Sequence, residues 1–173
     1  MSADAPNPLW TTRVAVIKRS AKTVKGGRRF SFGALVVVGN TCGCIGLGWG
    51  KSREVAGALQ KAERAAVAQK VREMLDAGRI SHEVRGQYCG AMVLLRPAPR
   101  GTGIIASKAV RNVLECAGVK DVVAKSLGAR NPANVAKATI RALLSLRLKA
   151  ERVRNPLLKL PDFDAGEDPL RLN

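Results

Sequence analysis

Phe30-Ser31-Phe32-Gly33-Ala34-Leu35-Val36-Val37-Val38-Gly39, followed after a turn by Ile45-Gly46-Leu47-Gly48-Trp49-Gly50-Lys51-Ser52, is the stretch whose reading decides the fold. Phe30, Phe32, Ala34, Val36 and Val38 alternate with Ser31, Gly33, Leu35 and Val37, which is the period of two that a β-strand requires. Gly39-Asn40-Thr41-Cys42-Gly43 is dense in turn formers, so a hairpin follows. In the returning strand Ile45, Leu47 and Trp49 share one face. Gly46, Gly48 and Gly50 leave the other face without side chains, a condition for close approach of another backbone.

Upstream, the β-branched Val14, Val16 and Ile17 predict a strand over about Arg13 to Arg19, followed by a basic loop, Lys22 to Arg28, that contains Gly26-Gly27. Downstream, Val55, Leu59, Ala62, Ala66, Met74 and Leu75 recur near a helical period, with Lys61, Arg64 and Arg72 between them. They predict one amphipathic helix from Glu54 to Ala77 ended by Gly78. A second pattern starts near Ser81: a strand over Ala91 to Arg96, the loop Pro97 to Gly103, a helix over Ala106 to Ala117 stopped by Gly118, and a strand over Asp121 to Leu127. Asn131-Pro132 then supplies the N-cap and first-turn proline of a last helix, with Val135, Thr139, Leu143 and Leu146 on its buried face. The fold class is α+β in two small domains, β-β-β-α over 13–79 and β-α-β-α over 80–150, with a leader at 1–12 and a tail at 151–173.

Charge narrows the function. The 173 residues carry 30 Lys and Arg against 13 Asp and Glu, a formal net charge of +17. A chain so basic binds a polyanion, and nucleic acid, which releases condensed counterions when Lys and Arg neutralise its phosphates, is the first candidate. Apolar residues make up 46%, enough for real cores, which excludes a wholly disordered basic arm. No apolar run reaches the length of a membrane span, the start resembles no signal peptide, and no helix has the bulky aromatic face of a membrane-surface binder. Four scattered cysteines, Cys42, Cys44, Cys89 and Cys116, fit a reducing compartment, so the expected location is cytoplasmic. The distribution of charge says more than its sum: from Ala5 to Arg53 there is no acidic residue, while Pro156 to Asn173 holds Asp162, Asp164, Glu167 and Asp168 and reads as a mildly acidic, loosely ordered tail.

Motifs that invite enzymatic readings weaken on inspection. Gly46 to Ser52 ends like a nucleotide P-loop in Gly-Lys-Ser, but the spacing fails and the run reads as a strand. Gly101-Thr102-Gly103-Ile104-Ile105-Ala106 matches a dinucleotide fingerprint and has Asp121 at the expected distance, yet the remaining chain is too short for two mononucleotide-binding halves. Cys42-Gly43-Cys44 lacks zinc-knuckle spacing, and His82 is the sole histidine, so neither a metal site nor a His-dependent nucleophile is expected. Glu54, Glu63, Glu73 and Asp76 lie among Lys and Arg along a helix and read as ordinary surface ion pairs. Arg29-Phe30-Ser31-Phe32 weakly resembles the RNA recognition motif, but aromatics are only 3% of the chain, and Phe30 and Phe32 are expected in the core. The stretch Lys22 to Arg29 remains, a charged segment with no acid to neutralise it, costly unless an anion binds.

Ser20-Ala21-Lys22-Thr23-Val24-Lys25-Gly26-Gly27-Arg28, Phe30-Ser31-Phe32, Gly46 to Val55, Pro97 to Ala106 and Asn131-Pro132-Ala133-Asn134, all in order, resemble the universal small-subunit ribosomal protein S-five family in its bacterial form. The resemblance covers about Arg13 to Leu146. It implies an N-terminal domain similar to a double-stranded-RNA-binding fold and a C-terminal domain with a left-handed crossover, against the usual hand. It implies a structural, non-enzymatic subunit without cofactor, membrane or small-molecule substrate, set on small-subunit ribosomal RNA where head meets body and mRNA enters. It also implies ribosomal proteins S-four and S-eight as neighbours, with a bearing on assembly and translational accuracy. The residues expected at RNA are Arg13, Lys18, Arg19, Lys22, Thr23, Lys25, Gly26, Gly27, Arg28, Arg29, Lys51, Arg53, Lys125 and Arg130. Those expected at a protein partner are Gly101, Thr102, Gly103, Lys108 and Arg111. Ser107-Lys108 departs from the small residues usual after Ile-Ile-Ala, and the cysteines of the Cys42 turn are not a family feature.

Overall fold

The computed structural model describes residues 10–68, 70–72 and 78–154. The first part of the expected leader, the acidic tail beyond Arg154, and Glu73, Met74, Leu75 and Asp76 lie outside the described residues. The elements run β1 (Thr11–Val24), β2 (Gly27–Gly39), β3 (Cys44–Ser52), α1 (Val55–Ala68), β4 (Lys70–Arg72), β5 (Val84–Tyr88), β6 (Ala91–Pro97), β7 (Ile104–Ile105), α2 (Lys108–Ala117), β8 (Val122–Gly128) and α3 (Pro132–Arg154). They form an α+β structure with two four-stranded sheets, one in the order β1-β2-β3-β4 and the other β5-β6-β8-β7. The pairings between these strands are antiparallel except β7 with β8, which are parallel and joined through α2 as a crossover, and an isolated parallel bridge links Arg79 with Asp121.

The bare glycine face of β3 is where α1 lies. A Cβ placed on Gly46 would stand 2.0 Å from the Ala66 carbonyl oxygen, one on Gly48 1.9 Å from that of Ala62, and one on Gly50 2.2 Å from that of Ala58. Those three alanines are fully buried, so the contact is backbone against backbone with only methyl groups between. The same device recurs in the second sheet, where a Cβ on Gly86 would stand 2.2 Å from the Ala138 carbonyl oxygen of α3. The sequence reading missed β5 because Gly86 interrupts its apolar alternation, although Val84 and Gly86 are buried and Arg85 and Gln87 exposed.

The helix expected to run to Ala77 stops at Ala68. Residues 70–72 instead form β4 and pair with Cys44, Ile45 and Gly46 of β3. An unpaired strand edge is a row of unsatisfied donors and acceptors. Pairing that edge overrides the helical propensity of Lys70-Val71-Arg72, a tertiary effect that no local pattern reveals. β3, β6, α2 and β8 lie within two residues of their expected spans, whereas β1 runs five residues past Arg19, β2 begins three residues before Phe30, and the short strand β7 is not among the expected elements. α2 ends at Gly118, whose φ of 86° and N–H to the Glu115 carbonyl close the helix. Asn131 caps α3 by accepting the Ala133 N–H at 3.3 Å.

α2 joins the two sheets. Val110, Val113, Leu114, Cys116 and Ala117 belong to one hydrophobic core that also contains Leu35, Val37, Ile45 and Leu47 of the first sheet, Val93, Leu95 and Val122 of the second, and Ile140 and Leu143 of α3. The face of β2 opposite this core carries Ala34, Val36 and Val38 against α1, so β2 is buried on both sides from Gly33 to Gly39. β1 bulges at Ala15, where the register shifts between Val14 and Val16, and the buried Asn112 donates to the Val14 carbonyl at 3.1 Å. At the end of α2, Arg13 Nε lies 3.5 Å from Glu115 Oε2. There too Thr41 N–H meets the Cys116 carbonyl at 3.0 Å, and the Cys116 thiol points at the carbonyls of Thr11 and Val37. Burial pushes that thiol up to about 11, with Arg13 drawing it down and Glu115 adding to the rise.

Three outcomes follow for stability. Gly48→Val is expected to abolish soluble folding or cost several kcal/mol in denaturant titration, because backbone atoms of α1 would have to move. Gly26→Ala, with nothing within 4 Å of the new Cβ, should leave the midpoint within about 1 kcal/mol of wild type. For Cys116, the unfolded thiol ionises near its ordinary 9.0 while the folded one holds its proton to about 11. The folded state therefore loses stability as pH rises from about 9 to about 11, by at most about 3 kcal/mol, and gains no such slope below pH 9. Urea titrations at several alkaline pH values should show a shallower decline for Cys116→Ala than for the wild type.

Candidate nucleic-acid interface

β3 accompanies β2 only as far as Phe32, which lies opposite Ser52. β1 and β2 stay paired well beyond that row, through Ser20 with Ser31, Ala21 with Phe30, Lys22 with Arg29, Thr23 with Arg28, and Val24 with Gly27. The result is a two-stranded arm that projects about 20 Å past the third strand, at roughly 3.4 Å per residue. The expected loop from Lys22 to Arg28 is thus mostly strand, and only Lys25 and Gly26 form its turn. Local pairing explains the difference: Ser20 and Ser31 hydroxyls meet at 2.8 Å, and Gly27 takes a φ of 131° that few side chains tolerate.

The alternation of the strands sorts the cations. On the face continuous with Leu35 and Val37 stand Lys18, Lys22, Arg29 and Lys51, with Lys18 and Lys51 flanking Gly33 in one row across three strands. Gly33 has no side chain because the Trp49 indole fills the space, 2.6 Å from where a Cβ would be. Lys22 sits directly opposite Arg29, a like-charge pair that repels across a ladder. On the other face stand Arg19 and Arg28, with Thr23 opposite Arg28. Lys25 occupies the tip, and Arg53 follows β3 on the way into α1. All of these cations are exposed.

The remaining residues expected at RNA are placed elsewhere. Arg13 sits at the junction with α2 and pairs with Glu115. Lys125 is exposed on β8 opposite Leu94, and Arg130 is exposed in the connection to α3, so both belong to the second sheet rather than to the arm. The residues expected at a protein partner do come together. Gly101, Thr102 and Gly103 form the turn before β7, Lys108 opens α2, and Arg111 Nη2 reaches back to the Ile104 carbonyl at 3.1 Å.

Several sequence expectations change at this point. Phe30 is not in the core: it is 46% exposed on the arm, with the Arg19 guanidinium 4.8 Å from its ring centroid, while Phe32 packs against the α1 side of the sheet. The alternation that places Phe30 on the face of Ala34 is legible, but the point at which α1 stops covering that face is not. The sequence reading also missed the group formed by Tyr88, Lys137 and Arg141. Lys137 Nζ donates to the Tyr88 hydroxyl at 3.0 Å, and both cations lie within 5 Å of the ring, at 4.6 Å and 4.7 Å.

The enzymatic readings lose their geometry. Gly46 to Ser52 is a strand laddered to β2, so its backbone forms no phosphate cradle. The amides of Gly101 and Gly103 both donate to Asp121 Oδ1, at 3.1 Å and 3.0 Å, and Arg79 lies 4.0 Å from Oδ2. The acid that a dinucleotide motif would offer to a ribose fills the turn itself. The amides of Cys42 and Cys44 both donate to Asn40 Oδ1 at 2.9 Å, a turn-making role, and His82 Nδ1 pairs with the neighbouring Ser81 hydroxyl at 2.9 Å. Glu63 accepts from Thr12 Oγ1 at 2.9 Å.

A family model described as ribosomal protein S5, N-terminal domain, matches residues 10–80, and one described as ribosomal protein S5, C-terminal domain, matches residues 86–154. The chain belongs to the ribosomal protein S5 family. An S5 protein is a structural component of the small ribosomal subunit and not an enzyme, and it binds ribosomal RNA and other ribosomal proteins. Its place is the ribosome, and among the described residues of this chain no helix is long and apolar enough to cross a membrane. The arm, the glycine-faced sheet and the Asp121-filled turn are the local structures that the family motifs build in this chain.

Asp121→Ala should leave the Gly101 and Gly103 amides without their acceptor and destabilise the protein by about 2 kcal/mol in urea titration, the cost of orphaned donors to a charged group. An unchanged midpoint would mean that water replaces the carboxylate without penalty.

Proposed function

We propose that this protein binds small-subunit ribosomal RNA through the β1–β2 arm, at the junction of head and body where mRNA enters, and that it supports subunit assembly and translational accuracy by position rather than by chemistry. The observation that carries this reading is the arm itself. A two-stranded projection with exposed cations on both faces and no acid in its sequence is self-repelling until an anion lies against it. A phosphate backbone running along each face meets Lys18, Lys22, Arg29 and Lys51 on one side and Arg19, Thr23 and Arg28 on the other. Gly26 and Gly27 at the tip let the main chain approach a sugar or phosphate closely. Lys25 and Arg53 extend the same charge at either end of the surface.

Lys125 and Arg130 provide a separate contact from the second sheet, and the Gly101–Gly103 turn with Lys108 and Arg111 faces a protein neighbour. Family membership supports ribosomal proteins S-four and S-eight as the neighbours and two domains dividing near residues 78–81. Arg13 serves the junction between β1 and α2 and contributes little to RNA affinity.

Salt dependence of binding to a small-subunit RNA transcript tests the reading. Each of Lys22→Gln and Arg29→Gln should lower the slope of log affinity against log salt by about one unit, whereas Arg13→Gln should leave the slope unchanged. In a sucrose gradient of cell lysate the wild-type protein should travel with the small subunit, and a peak at the free-protein position would refute the assignment.

A further inference from the structure

We propose that Phe30 and Arg19 form a stacking platform for an unpaired RNA nucleobase. The proposal rests on the RNA-binding reading of the arm and adds the kind of RNA feature the arm selects. Phe30 belongs to a strand face that is apolar where α1 covers it, through Ala34, Val36 and Val38, but the ring stands beyond that cover and is 46% exposed. Its cross-strand partner is Ala21, which offers only a methyl group. Arg19, the diagonal neighbour on β1, lies over it with its guanidinium 4.8 Å from the centroid. A guanidinium held against an aromatic ring orients both groups and limits the entropy lost when a third planar group joins them.

The surroundings select the ligand. No acidic residue occurs between Ala5 and Arg53, so the potential around the ring favours a polyanion over a neutral or basic protein surface. The planar apolar part of such a polyanion is a nucleobase. Arg28, two residues from Phe30 on the same face, and Thr23 opposite it stand where the phosphates flanking a stacked base can be met. In a continuous duplex the bases are stacked on one another and present no free face. The platform therefore takes a base that is bulged, looped or flipped out, with stacking largely independent of base identity.

The test uses the full chain and three RNAs: a small-subunit ribosomal RNA transcript, a short perfect duplex, and the same duplex with one unpaired adenosine. Affinities are measured by filter binding at several salt concentrations. Wild type should prefer the bulged duplex by about tenfold, the size of one base–aromatic stack. Phe30→Leu should erase that preference while leaving perfect-duplex affinity and the salt slope unchanged, since no phosphate contact is lost, and Phe30→Trp should retain it. Lys22→Gln should do the reverse, lowering the slope and keeping the preference. The thermal midpoint of Phe30→Leu should stay near wild type because the ring is on the arm. Loss of binding to all three RNAs in proportion, or a Phe30→Leu protein that still prefers the bulge, overturns the platform. So does a wild type that binds ribosomal RNA without any preference for the bulge. A wild type that binds none of the three overturns the RNA-binding reading beneath it.

Discussion

Helix backbones in this protein rest directly on sheet backbones, and most of the architecture follows from that contact. Along β3 the missing Cβ atoms of Gly46, Gly48 and Gly50 let the carbonyls of Ala58, Ala62 and Ala66 come to within van der Waals distance of the strand. With α1 seated so deeply, the opposite face of the same sheet is free to pack on α2, and β2 becomes a strand buried on both sides. α2 is then enclosed between the first sheet and the second sheet with α3, which draws Leu35 and Leu47 into one core with Val113, Val122 and Ile140. Two local α+β patterns in sequence thus share a single hydrophobic interior. The close packing leaves little slack: Asn112 is used on the carbonyl exposed by the Ala15 bulge, and Glu115 on Arg13.

Against this dense body the β1–β2 arm is the exception. It carries no core, and its strands hold one another only through the ladder and small polar contacts such as Ser20 with Ser31. Two-stranded ribbons are marginal by themselves, so the arm depends on its continuity with β1 and β2 inside the sheet. That separation divides the labour of the sequence. The body supplies stability through apolar burial, and the arm presents charge that the body could not accommodate without desolvating it. The like-charge pair of Lys22 and Arg29 is tolerable only because water, or RNA phosphate, screens it.

The second domain shows how similar motifs can serve structure alone. Gly101 and Gly103 resemble a phosphate-binding turn, and the turn does gather backbone amides around an anion, but the anion is Asp121 of the same chain. An internal carboxylate occupying the amides stabilises the loop before β7 and leaves Thr102 exposed at its crest. What distinguishes a binding loop from a structural one here is whether the donors are already used.

Much of this was legible in the sequence. The period-two run of residues 30–38, the alternate glycines of 46–50, the Asn131-Pro132 cap and the Gly118 stop place strands and helices because each rests on local stereochemistry. The cationic, acid-free stretch from Ala5 to Arg53 points to RNA because net charge is a property of composition. Other features are decided only by the tertiary structure. Residues 70–72 become a strand because β3 has an open edge, and β5 forms around Gly86 because α3 needs the space. Arg13 is drawn to Glu115 by the docking of α2. Phe30 is exposed because α1 ends its cover short of the arm. In each case the deciding partner is distant along the chain, and local pattern carries no information about where a distant backbone will stop.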